Sequence, residues 1–302
     1  MLTKLSEDFF RGGSEALQGD FSPRMAGAAT PIGGNFQVSR IPLRSEATEF
    51  EWSAAIARRR GIHGFNSMDA RSRSFNLIRG KLVNLRRERQ WRMIGFVSAA
   101  PSVGKSYVSS NIAASLSRDP RWNTYLVDLD LRRGGVATTF GLDPQVGLET
   151  YFEDPSSVGQ VPSFAPTGQE LVVVPTVPGH LHSAELLASS RASDLLDQMR
   201  RSASENLFLF DLPPVFANDD ALTIVELLDS YVFVAEEGKT TRREIESAVE
   251  TLGQERLAGI VLNKYRGGLV SEGRGIEERY ASRYYTDSSI TSSERNPADT
   301  QS

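Results

Sequence analysis

The chain of 302 residues has no cysteine. That excludes a disulfide framework, a thiolate nucleophile and any cysteine-ligated zinc site. It has only 3 histidines, His63, His180 and His182, too few for an ordinary histidine-based metal centre. It has no run of about 18 apolar residues, so no segment reads as a membrane-spanning helix. The start, MLTKLSEDFF, carries acids where a signal peptide needs an apolar stretch. No block of one charge sign dominates. Residues 1–66 carry 8 basic and 7 acidic groups, residues 67–266 carry 22 and 25, and residues 267–302 carry 4 and 6. Without a strongly basic segment, bulk nucleic-acid binding is not expected. A soluble cytoplasmic protein is the expectation. At 39% hydrophobic residues the chain is also lean for its length, which predicts that part of it lies outside a packed core.

The ends are the lean parts. Residues 1–66 are broken by Gly12-Gly13, Pro23, Pro31, Gly33-Gly34 and Pro42, and read as a largely irregular extension. Leu5–Phe10 and Glu49–Arg60 have helical character, the second closing on Arg58-Arg59-Arg60, which reads as a solvated helix end or as a contact to a partner or an anionic lipid surface. Residues 267–302 read as a flexible tail, rich in Ser, Thr, Asn, Asp and Glu.

Residues 67–266 are regular. Apolar runs of strand length recur at Met93–Val97, Tyr125–Val127, Leu171–Val174, Leu207–Phe210, Tyr231–Ala235 and Gly259–Leu262. Helical patterns separate them at Lys105–Leu116, Ala184–Met199, Asp220–Leu228 and Thr241–Leu252, and a further helix over Ser72–Arg89 precedes the first strand. Strands apolar throughout, alternating with helices, predict a doubly wound α/β domain with a mostly parallel sheet covered on both faces. Ligands of such a fold sit at the carboxyl ends of its strands.

The chemistry falls at those ends. After Met93–Val97 comes Ser98-Ala99-Ala100-Pro101-Ser102-Val103-Gly104-Lys105-Ser106 and then a helix. This is the G-x-x-x-x-G-K-[ST] phosphate loop with Ala99 at its first position. Gly104 lets backbone N–H groups face a phosphate, and the following helix offers its positive end. Lys105 would reach the terminal phosphates and Ser106 would ligate Mg²⁺. The second strand ends on Asp128-Leu129-Asp130-Leu131-Arg132, and the fourth on Asp211-Leu212-Pro213-Pro214. Hard carboxylate oxygens there suit Mg²⁺ on a nucleotide. The dinucleotide pattern G-x-G-x-x-G is absent after the first strand, and so are the H-R-D and D-F-G runs of eukaryotic-type kinases.

With these motifs in this order, residues 67–266 resemble the bacterial tyrosine kinases of capsule and exopolysaccharide synthesis, a family of the P-loop ATPase superfamily. Supporting similarity lies in Ala184–Ser189, Glu237–Thr241 and Gly259–Lys264. The resemblance implies ATP and Mg²⁺ as cofactors and transfer of the γ-phosphoryl group to tyrosines. It implies catalytic roles for Lys105, Asp128, Asp130 and Asp211. Asp128 or Asp130 would ligate metal or accept the tyrosine proton. Metal would be held by Ser106, Asp128 and Asp211. The nucleotide would meet Pro101, Ser102, Val103, Gly104, Lys105, Ser106, Tyr107, Arg132 and Asn263, the last near adenine. The acceptors would be Tyr280, Tyr284 and Tyr285 of the tail. The implied partners are a membrane co-polymerase that sets polysaccharide chain length and carries an activating cytoplasmic segment, a cognate tyrosine phosphatase and other copies of the chain. Location would be the cytoplasm, with recruitment to the inner membrane through the partner.

Two departures bear on alternatives. Partition-type ATPases of the ParA/MinD group share the fold and carry an extra Lys five residues before the loop Lys, where this chain has Ala100. The family's Glu-x-x-Arg-x-x-Arg ring pattern falls on Arg73, Asn76 and Arg79, of which only Arg79 matches. This leaves ring assembly open, beside the alternatives of an ATPase switch or a non-catalytic nucleotide-binding adaptor.

Overall fold

The computed structural model describes residues 41–153, 161–180, 182–217 and 219–265. The chain divides after Lys264 into two units, and the account below concerns the first. The expected helix over Leu5–Phe10 lies outside the described residues.

The strands are β1 (Thr48–Phe50), β2 (Met93–Val97), β3 (Asn123–Asp128), β4 (Phe164–Pro166), β5 (Leu171–Val174), β6 (Asn206–Asp211), β7 (Ser230–Glu236) and β8 (Leu257–Asn263). They form one eight-stranded sheet in the order β1-β4-β5-β3-β6-β2-β7-β8. Every pairing is parallel except β4 with β5. The six predicted apolar runs are β2, β3, β5, β6, β7 and β8, so the doubly wound expectation holds.

Alternate side chains of each strand feed two cores, as a strand's period of two requires. On β6, Leu207 and Leu209 enter one core, Phe208 and Phe210 the other. One face is covered by α2 (Arg73–Arg89) and α3 (Lys105–Leu116), through Phe75, Ile78, Leu82, Val108 and Ile112. The opposite face is covered by α7 (Ser190–Arg201), α8 (Asp220–Val225) and α9 (Arg242–Leu252), through Leu195, Met199, Ile224, Ala248 and Leu252.

The predicted helix Ala184–Met199 is two helices, α6 (Ser183–Leu187) and α7. The break has a local cause: the Ser189 side chain accepts from Ala192 N–H and starts a new helix. Two short helices, α4 (Val136–Phe140) and α5 (Leu148–Glu153), escaped the periodicity because each has fewer than two turns.

The expected break at residue 66 is not a break in the fold. β1 pairs with β4 at the sheet edge, and α1 (Ala54–Arg60) packs beside it. Trp52 and Ile62 are buried, and Trp52 lies 5.6 Å from the Phe140 ring. Asn111 of α3 pins the following turn: its Oδ1 accepts from His63 N–H at 2.7 Å and Gly64 N–H at 3.2 Å. The residues from 41 onward therefore belong to the domain. The Arg58–Arg60 triplet is a solvated last turn, closed by Gly61 at φ 74°.

Candidate active site

Three neighbouring strands deliver the expected residues to one sheet edge. β3, β6 and β2 are adjacent, and Asp128 and Asp211 are register partners at the ends of β3 and β6. β2 runs into the loop of residues 98–104. Gly104 adopts φ 92°, ψ 25°, a left-handed conformation that costs other residues about 1 kcal/mol or more. It aims the first turn of α3 at the cleft.

Lys105 and Ser106 then converge on Asp211. The Lys105 ammonium donates to Asp211 Oδ1 at 3.1 Å and lies 3.7 Å from Asp130 Oδ2. The Ser106 hydroxyl donates to Asp211 Oδ2 at 2.5 Å, and Ser109 approaches Oδ1 at 3.4 Å. Asp128 is held by backbone: Oδ2 accepts from Val136 N–H at 3.0 Å and Oδ1 from Asp130 N–H at 3.1 Å. Both Asp128 and Asp211 are fully buried.

Burial raises the Asp128 carboxyl well above the usual carboxylate range, and the charge of Asp211 adds to the effect. Burial also raises Asp211, against the opposing pull of Lys105 and Ser106. Burial alone would lower Lys105, but Asp211, Asp130 and Asp128 outweigh it and keep the ammonium charged. A buried cation set among three carboxylates marks a candidate functional site.

Lys105, Ser106 and Asp130 border a cleft of about 360 Å³, lined also by Pro101, Gly104, Arg133 and Gly135 among others. Its floor is tight. A Cβ on Gly135 would lie 2.3 Å from Ser106 Oγ. Among the described residues no three carboxylate or imidazole side chains form a metal cage. Mg²⁺ carried on a nucleotide takes one or two carboxylates, with hydroxyl, phosphate and water oxygens completing its shell. The Ser106 hydroxyl with Asp211 and Asp128 is such a donor set, so the residues fit the expected ion.

No protein-family model matches the chain. It is 30% identical over 194 residues to Tyrosine-protein kinase YwqD of Bacillus subtilis (strain 168), a match covering 64% of this chain and 80% of that protein. The chain belongs to the bacterial tyrosine kinase family. It is also 30% identical over 213 residues to the Succinoglycan biosynthesis transport protein ExoP of Rhizobium meliloti (strain 1021), covering 66% of this chain but only 26% of ExoP. The fold matches the kinase domain of Escherichia coli tyrosine kinase ETK with a TM-score of 0.62 at 21% identity, over 74% of this chain and 90% of that one.

Within this kinase, most motif residues meet where the sequence puts them, and some do not. Arg132, expected at the nucleotide, turns away: its Nε donates to Ser183 Oγ at 2.7 Å and lies beside Asp220 at 3.7 Å. Its neighbour Arg133 lines the cleft instead. Tyr107 borders the cleft, but its ring packs edge-on to Phe75 of α2 at 5.9 Å. Val103 is buried, and its carbonyl accepts from Asn263 Nδ2 at 2.8 Å, so Asn263 reaches the loop itself. Of the α2 residues aligned with the ring pattern, Asn76 bonds Ser72 at 3.2 Å and Arg79 pairs with Asp119 at 3.1 Å. Tyr280, Tyr284 and Tyr285 lie outside the described residues. Sequence reasoning missed Arg133, Gly135 and Ser109. The Gly134-Gly135 pair directly after the acidic motif was the available signal.

Proposed function

We propose that the chain is an ATP-dependent protein-tyrosine kinase that phosphorylates its own tail and acts in exopolysaccharide assembly. The observation that carries this reading is the convergence of Lys105 and Ser106 on Asp211 beside Asp128 and Asp130. The loop N–H groups and the N-terminal turn of α3 bind the phosphates. Lys105 draws negative charge from the group in transfer. Mg²⁺, when bound, neutralises charge on the phosphates, and Ser106, Asp211 and Asp128 would hold it directly or through water. Asp130 lines the cleft, so it is the carboxylate an entering tyrosine hydroxyl meets, and it takes the proton. Asp128, buried behind it, holds the Asp130 backbone in place. A tyrosine hydroxyl with a pKa near 10 needs such a base to become a good nucleophile.

ExoP is named for polysaccharide transport and is about four times longer than the segment it shares with this chain. Among the described residues no helix is long and apolar enough to cross a membrane. The tie of ExoP to polysaccharide transport supports a membrane co-polymerase as partner, whose cytoplasmic segment would activate the kinase and recruit it to the inner membrane. Copies of the chain and a cognate phosphatase complete the proposed set.

The test is an anti-phosphotyrosine blot after incubation with Mg·ATP, with and without the partner's cytoplasmic segment. Wild type gives signal, and Lys105→Met and a chain ending at Gly267 do not. ATP hydrolysis without phosphotyrosine in any combination would replace the kinase with an ATPase switch of the ParA/MinD type.

A further inference from the structure

Two consecutive residues at the end of β8 hold two consecutive carbonyls of the phosphate loop. Asn263 Nδ2 donates to the Val103 carbonyl at 2.8 Å, and Lys264 Nζ donates to the Ser102 carbonyl at 2.7 Å. The Lys264 ammonium is itself anchored, 2.9 Å from Glu236 Oε2 at the end of β7. The other Glu236 oxygen takes Lys239 at 2.8 Å. Hydrogen bonds from Lys239 and Lys264 pull the Glu236 carboxyl below its ordinary value, so it stays ionised.

The backbone on both sides of the Lys264 bond is unusual. Ser102 has φ 63° and Lys264 has φ 57°, the left-handed region that non-glycine residues rarely occupy. Gly104 has no room for a side chain on this flank, where a Cβ would lie 2.2 Å from Asn263 Nδ2. The loop and the end of β8 are therefore fitted to each other.

A planar trans peptide points its C=O and its N–H in opposite directions. Drawing the Ser102 carbonyl toward Lys264 turns the Val103 N–H the other way. Drawing the Val103 carbonyl toward Asn263 does the same for the Gly104 N–H. Those N–H groups make the anion-binding concavity of a phosphate loop. We propose that Lys264, anchored by Glu236, is a positioning residue for nucleotide phosphates: it sets the direction of the loop's N–H groups without touching the nucleotide. The proposal rests on the nucleotide-binding reading above.

The sign of one charge change separates this role from a direct one. If Lys264 acted through its own charge on the phosphates, Glu236→Ala would remove a nearby negative charge and tighten binding. If Lys264 acts by holding the loop, Glu236→Ala frees the ammonium and weakens binding. The experiment titrates a fluorescent ADP analogue with Mg²⁺ into the full chain and measures KM for ATP separately. Lys264→Met is expected to weaken binding about tenfold, the worth of one charge-assisted hydrogen bond reduced by partial exposure. Glu236→Ala weakens it in the same direction by roughly threefold, and Lys264→Arg retains most of the affinity. The losses appear in KM rather than in kcat. Wild-type affinity in Lys264→Met, or tighter binding in Glu236→Ala, overturns the proposal. If Lys264→Met does not fold, Glu236→Ala decides alone. A wild-type chain that binds no nucleotide at all overturns the functional reading first.

Discussion

Asp128 and Asp211 face each other as register partners across β3 and β6, and of the two it is Asp211 that takes the hydrogen bond of Lys105. The two carboxylates have divided roles. Asp211 joins the phosphate loop to the sheet, while Asp128 braces the backbone that carries Asp130. Asp211→Asn and Lys105→Met should each lower kcat/KM for phosphoryl transfer by at least about a hundredfold. Because the two groups act as one unit, the double variant should be little worse than either single. Losses that multiply would show that they act independently. Rates for all three variants decide it.

Gly135 lies against Ser106 at the cleft floor. Its φ of -106° is open to any residue, so Gly135→Ala strains no backbone. The added methyl would meet Ser106 Oγ at 2.3 Å and Ser106 Cβ at 2.8 Å, so the first turn of α3 has to shift with the hydroxyl. Affinity for Mg·ATP should fall at least about tenfold, and the melting temperature should fall with it because the site is overpacked. Equal affinity would mean that Ser106 has freedom to move.

Asp119 gives a pH signature away from the cleft. Hydrogen bonds from Arg121, with Arg79 also close, lower its carboxyl from 3.8 to about 2. A lowered pKa means that the ionised form stabilises the fold. That contribution is complete above the ordinary value and is lost as pH falls through about 2. Asp119→Asn should cost roughly 1 to 2 kcal/mol at neutral pH, less than the full linkage value because Arg121 is mostly in water. The gap between the variant and wild type should close in strong acid. Urea titrations at several pH values measure it.

Trp52 tests whether the front of the chain is an arm or part of the domain. Its ring is buried among Phe50, Phe65 and Phe140. Trp52→Ala should cost about 3 to 5 kcal/mol, read as a lower urea midpoint. Deleting residues 1–66 should do more damage. An unchanged midpoint in either would return these residues to the status of a linker.

The central strands were legible because a parallel sheet covered on both faces demands unbroken apolar runs, as in Leu207–Phe210. β1 and β4 were not, because each has three residues, and β1 at the edge carries Thr48 and Glu49 exposed to water. The site residues were legible where the chemistry fixes the residue type, as at Gly104-Lys105-Ser106 and Asp211. Direction was not legible. Arg132 and Arg133 are neighbours of the same type, and only the turn closed by Arg133 and Gly134 N–H on the Asp130 carbonyl decides which one faces the cleft. Nor could the sequence join Lys264 to Ser102, which are 162 residues apart and meet only once β8 has taken its place beside β7.

The strand order has a consequence for the margins of the sheet. β1 and β8 are the two outermost strands, so Thr48–Phe50 and Leu257–Asn263 form opposite margins of the sheet. Seven interstrand steps of about 4.8 Å put those margins roughly 30 Å apart along the sheet. Each margin can therefore be altered on its own, Thr48–Phe50 without touching Leu257–Asn263.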